Sequence, residues 1–191
     1  MDNAPSIARR GILSFNAPRE NSDLRESSVS IADPFVNNRR EGRQLDGRSL
    51  HDFVPLYWAT HTPMQYVVTD QRLPQEDLVF FVLEAERILD LPGVWTTDGN
   101  AASRSTTIYP GRGALQSLDW VILRTRNCFS SEYKRKKCAA VLVPDRIGPD
   151  LFARICVHSD RARVKLCERI IEQDNVIRKL PLITVDRTLY Y

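Results

Sequence analysis

The chain has 191 residues, 42% hydrophobic and 27% charged, with Lys+Arg 27 against Asp+Glu 24 for a net charge of +3. That length suits one domain with a real core better than a multi-domain scaffold, and no stretch approaches the roughly 18 consecutive apolar residues of a membrane span. So small a net charge excludes inferring a nucleic-acid partner from charge alone; clustering has to carry that case.

The opening MDNAPSIARRG has too few apolar residues before its arginines for a secretory signal, so a cytoplasmic address is expected. Asn3 can cap a short helix, with Pro5 in its first turn, that runs to Arg10 and stops at Gly11. From Ile12 to Val29 no period is sustained; a structureless stretch of that length in a compact domain is a candidate for holding a ligand. Ser30 to Arg40 predicts a short helix interrupted at Pro34, and EGRQLDGRS after it reads as polar turn. Phe53 to Trp58 suits a buried strand broken by Pro55, and Pro63 opens a helix through Met64, Tyr66 and Val67. Leu78 to Leu83 is the clearest strand; Glu84 to Leu91 is a short helix, and Val94 to Thr97 a strand ending at the turn signal Asp98-Gly99.

An irregular stretch follows to Gly113, then a helix from Ala114 to Leu123. Cys138 to Val143 reads as a strand, Gly148 to Ala153 as one or two helical turns, Ile155 to His158 as a strand, Arg161 to Gln173 as an amphipathic helix, and Leu182 to Val185 as the last strand. Strands and helices alternate without the even rhythm of β-α-β units, which predicts a mixed α+β fold.

None of Cys128, Cys138, Cys156 and Cys167 forms a C-x-x-C pair, so reduced, mostly buried thiols are expected and no zinc site. His51, His61 and His158 are too few for most histidine-built metal sites. G-x-x-x-x-G-K-[ST], G-x-G-x-x-G and G-x-S-x-G are all absent, which removes three routes to nucleotide or acyl chemistry. Two basic clusters remain. Lys134 to Lys137 reads either as a solvated loop or as a phosphate-contacting rim with Arg124, Arg126, Arg104 and Arg112. Arg39-Arg40, with Arg43 and Arg48 behind them, fits a nucleotide contact or a surface salt-bridge network.

The strings SIADPFVNNRR (30–40), LHDFVPLYWATHTPMQY (50–66), TTDGNA (96–101), SLDW (117–120), KKCAAVLV (136–143) and the terminal Leu189-Tyr190-Tyr191 resemble, in order and spacing, the DarT family. Those are bacterial toxins related to the ADP-ribosyltransferases, which attach ADP-ribose from NAD to bases of DNA. The resemblance runs from Asp2 almost to the end and implies a single domain over 1–191 with an ADP-ribosyltransferase-like fold, a mixed central sheet with peripheral helices.

It further implies NAD as co-substrate and no metal, single-stranded DNA as partner, a macrodomain-type antitoxin, and no membrane. Ser6, Phe15, Asn16 and Arg40 would hold NAD, Arg40 also acting in catalysis. Arg104, Lys136 and Lys137 would contact DNA, and His51 and Asp52 would support the site.

Two departures from the family pattern bear on activity. In K-[KQ]-A-E-[FV]-L-V the glutamate orients the NAD ribose and serves as catalytic carboxylate; here Ala140 stands at that position. A methyl group can neither hydrogen-bond a ribose hydroxyl nor move a proton, a contribution of typically 10²–10⁴-fold, so the chemistry is expected to be severely weakened. The family's opening strand, shaped as H-[IF]-T-H-[IV]-D-N, is the second: Met1-Asp2-Asn3 aligns where that strand ends. A catalytically silent nucleic-acid or protein binding module of the same fold is the alternative.

Overall fold

The computed structural model describes residues 1–17, 34–127, 130–173 and 181–191. The first helix, α1 (Ala4–Arg10), has Pro5 in its first turn and ends at Gly11, as the sequence predicts. Gly11 adopts φ +86°, and a Cβ there would lie 2.0 Å from the Ile147 carbonyl oxygen, so only glycine fits the corner. The chain then makes a strand the sequence did not announce, β1 (Ile12–Leu13), antiparallel to β9 (Arg146–Ile147). Of the segment expected to be a ligand loop, only its start lies within the described residues. Helix α2 is described over Pro34–Glu41; the part of the expected helix before Pro34 lies outside the described residues.

The polar turn after α2 is a small hairpin, β2 (Gln44–Leu45) with β3 (Arg48–Ser49). Asp46 and Gly47 between them both have positive φ, as a two-residue turn between twisted strands requires.

Among the described residues the longer strands form two sheets. One has the order β4 (Phe53–Tyr57), β8 (Ala140–Pro144), β6 (Trp95–Thr97), β7 (Ile108–Pro110), all antiparallel. Pro55 does not break β4, because β4 is an edge strand that pairs with β8 alone. Strand β8 lies inside the sheet, and Ala140, Val141, Leu142 and Val143 are all buried, so the uninterrupted apolar run is the signature of two covered faces. Alternation sends Val141 and Val143 to one face, with Val54, Val94 and Ile147, and Ala140 and Leu142 to the other, with Leu45, Leu50, Phe53 and Ala101. The other sheet is β11 (Ile183–Val185), β10 (Phe152–Val157), β5 (Phe80–Leu83), β10 running parallel to β11 and antiparallel to β5. The mixture of antiparallel and parallel pairs with separate helices is the expected α+β arrangement.

The remaining helices are α3 (Pro63–Gln71), capped by Thr62; α4 (Ala85–Leu89); α5 (Trp120–Arg124); α6 (Ser131–Lys137); and α7 (Asp160–Gln173). The helix predicted from Ala114 to Leu123 is divided. A 3-10 turn covers Gly113–Gln116, and Asp119 then caps α5 by accepting from the Ile122 amide at 3.1 Å. The basic run is not a loop: it forms α6, which Ser130 caps by accepting from the Tyr133 amide, with its cations in the last turn where the helix dipole favours them.

The final residues are tied in. The Tyr190 hydroxyl donates to the carbonyls of Leu78 and Cys156, and His61 and Gln65 hydrogen-bond to the carbonyls of Tyr190 and Leu189. Cys138 and Cys156 are buried and Cys167 partly so, all as free thiols; Cys128 lies outside the described residues. No described helix is long and apolar enough to cross a membrane.

Candidate active site around Arg40, Tyr57 and Ala140

Tyr57, the last residue of β4, is the register partner of Ala140, the first of β8. Both face the side of the sheet that also buries Phe53 and Leu50. Arg40, on the last turn of α2, reaches that face from outside: its guanidinium donates to the Leu50 carbonyl at 2.8 Å and the Phe53 carbonyl at 3.4 Å. Burial pushes the Arg40 pKa down, while the nearby Tyr57 phenol opposes the shift. Burial pushes the Tyr57 hydroxyl up to about 12, with the Cys138 thiol adding to the rise and Arg40 opposing it. Tyr57 thus neighbours Ala140 in the ladder, and its phenol lies near enough to Arg40 for the two to interact electrostatically at the same end of the sheet.

Around Arg40 the residues Phe15, Asn16, His51 and Asp52 form a single support. Asp52 accepts from the Asn16 side-chain amide at 2.7 Å and from the Ser49 amide at 3.0 Å. The Asn16 amide donates to the His51 carbonyl at 3.1 Å. His51 is buried, its Nε2 lies 3.0 Å from the Asn37 carbonyl of α2, and its ring is 4.5 Å from that of Phe15. His51 and Asp52 thus lock the start of the 14–17 segment and the helix carrying Arg40 to the same end of the sheet. Ser6 sits half-buried on α1, which contacts β1 and α7.

The expected DNA contacts separate. Arg104 is exposed on the segment between β6 and β7. Lys136 is paired with Asp119 at 3.0 Å. Lys137 requires a correction: its side chain is wholly buried, and its ammonium donates to the carbonyls of His61, at 2.9 Å, and Thr125. It holds α6 to the rest of the fold and offers no cation at the surface. Sequence reasoning also missed the role of Arg43, which it grouped with the nucleotide-binding arginines. Arg43 donates to the carbonyls of Ala101 (2.6 Å), Ser103 and Thr106 (3.0 Å). Among the described residues no group of three or more His, Cys, Asp or Glu could hold a metal ion.

Known proteins share the sequence pattern and the fold. A curated relative, the DNA ADP-ribosyl transferase-DNA ADP-ribosyl glycohydrolase fusion protein of Thermosipho africanus, is 30% identical over 182 residues, covering 92% of this chain and 45% of the relative. The solved structure of Thermosipho africanus DarTG in complex with ADP-ribose superposes with a TM-score of 0.81 at 28% identity, over 100% of this chain and 49% of that one. Thermus sp. 2.9 DarT in complex with NAD+ superposes with a TM-score of 0.77 at 25% identity, over 100% of this chain and 93% of that one. The chain thus spans about half the length of the Thermosipho proteins it matches.

The fold is of the ADP-ribosyltransferase-like α+β class. The family model described as "DarT: ssDNA thymidine ADP-ribosyltransferase, DarT" matches residues 1–191, and the chain belongs to that family.

Proposed function

We propose that this chain binds NAD as co-substrate and single-stranded DNA as acceptor, and supports transfer of ADP-ribose to a nucleobase. The family's description, which names ssDNA thymidine, supports thymine as that base. The observation that carries the reading is the common sheet face of Arg40, Tyr57 and Ala140. In the reaction the glycosidic bond between nicotinamide and ribose breaks, nicotinamide leaves with the bonding pair, and a base nitrogen attacks the anomeric carbon while losing its proton. Such a step runs through an oxocarbenium-like species, so the protein contributes mainly orientation and electrostatics. A base in single-stranded DNA is reachable without opening a duplex.

Arg40 is the cation at the NAD, Ser6, Phe15 and Asn16 line its approach, and Arg104 and Lys136 contact DNA. Ala140 leaves the proton-handling position without a carboxylate, so turnover in this chain is weak. A partner that removes ADP-ribose, of macrodomain type, is proposed because the Thermosipho relative carries a glycohydrolase in the same chain. NAD and DNA as substrates support a cytoplasmic site of action.

The second reading, a silent binding module, is favoured by one observation: the Ala140 methyl is packed within an apolar cluster with Leu142 and Phe53. Ala140→Glu, incubated with NAD and a thymidine-containing single-stranded oligonucleotide, separates the two. Base-linked ADP-ribose detected by mass, at a rate about 10²–10⁴ above that of the unaltered chain, supports the transferase. A folded variant that binds NAD and transfers nothing supports the module. An RNA oligonucleotide in parallel tests the acceptor.

A further inference from the structure

We propose that Arg43 and Arg135 are positioning residues. Together they clamp the segment from Asp98 to Thr107 into one shape, so that its exposed Arg104 and Ser105 meet single-stranded DNA already arranged. The proposal rests on the DNA-binding function proposed for this chain.

The two guanidiniums come from different elements and converge on one residue. Arg43 follows α2 in the chain, and Arg135 lies on α6. Arg43 donates to the carbonyls of Ala101, Ser103 and Thr106. Arg135 donates to the Thr106 hydroxyl at 3.1 Å and to Asp98 at 3.2 Å, while its own carbonyl accepts from the Asn100 amide at 2.9 Å. Thr106, buried to 4% exposure, therefore receives one arginine on its carbonyl and the other on its hydroxyl. Neither guanidinium can be exchanged for an ammonium without loss, because a planar fork serves several fixed acceptors at once and a point donor does not.

The backbone of the segment is shaped to the clamp. Gly99 leaves the room Arg135 occupies: a Cβ there would lie 2.3 Å from the guanidinium Nη1 and 2.9 Å from the Thr106 hydroxyl, so the arginine would have to shift. Asp98 accepts from the Thr107 amide at 3.0 Å, closing the base, and Ala101 packs in the apolar cluster that holds Ala140. The segment is thereby anchored to the face of the sheet that carries the candidate active site. Arg104 and Ser105 project beyond the clamp. Holding a recognition segment in its bound shape improves affinity by removing the ordering that binding would otherwise require.

A phosphate contact and a positioning arginine differ in salt dependence. A cation on a phosphate releases counterions, contributing about 0.7 to the slope of log K against log salt for single strands. An arginine whose N–H groups are taken up by the protein, as Arg43's are by carbonyls and Arg135's by Thr106, Asp98 and Glu132, contributes affinity without that slope. The test is fluorescence anisotropy of a labelled single-stranded oligonucleotide across a salt series, with hydrogen–deuterium exchange of the same proteins. The variants are Arg43→Gln, Arg135→Gln and Arg104→Gln, with Thr106→Val as a milder variant that keeps every charge and removes only the hydroxyl that accepts from Arg135.

Arg43→Gln and Arg135→Gln are expected to weaken binding on the order of tenfold with an unchanged salt slope, and to speed exchange in 98–107 but not in β8. Thr106→Val should do the same more weakly, whereas Arg104→Gln should lower the slope by about 0.7 and leave exchange as it was. A slope that falls by the same amount in Arg43→Gln and Arg135→Gln, or exchange in 98–107 that is unaltered in both and in Thr106→Val, overturns the clamp. An unaltered chain that binds no single-stranded DNA overturns the DNA-binding function instead; faster exchange confined to 98–107 then still upholds the clamp itself.

Discussion

Tyr57 stands opposite Ala140 in the β4–β8 ladder, and its phenol lies near enough to the Arg40 guanidinium that each opposes the shift burial imposes on the other. An arginine on a helix end and a residue at the start of an interior strand, 100 positions apart in sequence, are thereby brought to one side of one sheet. A carboxylate at position 140 would start from a buried backbone position beside Tyr57, where charge interactions are screened less than in water.

Arg40→Ala, placed in the Ala140→Glu background, is expected to abolish most transfer while the fold survives. The Leu50 and Phe53 carbonyls lose a donor, which costs about 1–2 kcal/mol of stability. Parallel transfer assays and urea melts check both halves; undiminished transfer removes Arg40 from the site.

Lys137→Met is expected to act on stability and not on DNA. Its ammonium serves two carbonyls in the interior, and leaving them without a donor costs about 1–3 kcal/mol. Urea melts and a salt titration of oligonucleotide binding check this; a reduced salt slope with unchanged stability would put Lys137 on the DNA after all.

Gly11→Ala is expected to destabilise by roughly 2–3 kcal/mol or more, because the backbone there is in a region L side chains rarely adopt and the added methyl meets the Ile147 carbonyl. A melt with a change below 0.5 kcal/mol, the usual scale of a neutral surface change, would contradict the assigned corner.

The C-terminal anchor predicts a pH dependence. Burial holds the His61 pKa below its ordinary value of about 6.5, outweighing the hydrogen bond to the Tyr190 carbonyl that favours the charged form. The unfolded chain therefore binds the proton more tightly than the folded one, so stability is lost as pH falls below about 6.5. Denaturant melts at pH 7.5 and 5.5 should show that loss, and His61→Gln should reduce it; an equal loss in the variant places the sensitivity elsewhere. The carboxylates held low by partners, such as Asp119 with its amide and Lys136 contacts, contribute only at more acidic pH.

The sequence was legible where one physical rule dominated. Pro5 and Gly11 marked the start and stop of α1, although Asn3 makes no side-chain cap, and the run ending in Val143 had enough continuous apolar character to be an interior strand. It was opaque where a partner distant in sequence decides the outcome. SEYKRKK has no apolar period, so α6 is readable only from the Ser130 cap. The Asp46-Gly47 turn was visible, but the two-residue strands flanking it are too short to alternate.

At the candidate site, the motif likeness singled out Arg40 and Ala140, and the register added Tyr57 as the partner of Ala140. Lys137 and Arg43 misled for one reason: a cation in a basic run normally faces solvent, whereas these two find clustered carbonyls that only the folded chain assembles.

The most direct test of the shared face is a crystal structure of the chain with NAD bound. The expected result is the nicotinamide ribose seated against Ala140 and Tyr57, with Arg40 in contact with the dinucleotide. NAD ordered on the opposite face of the β4–β8–β6–β7 sheet, or touching neither Arg40 nor Ala140, would contradict it.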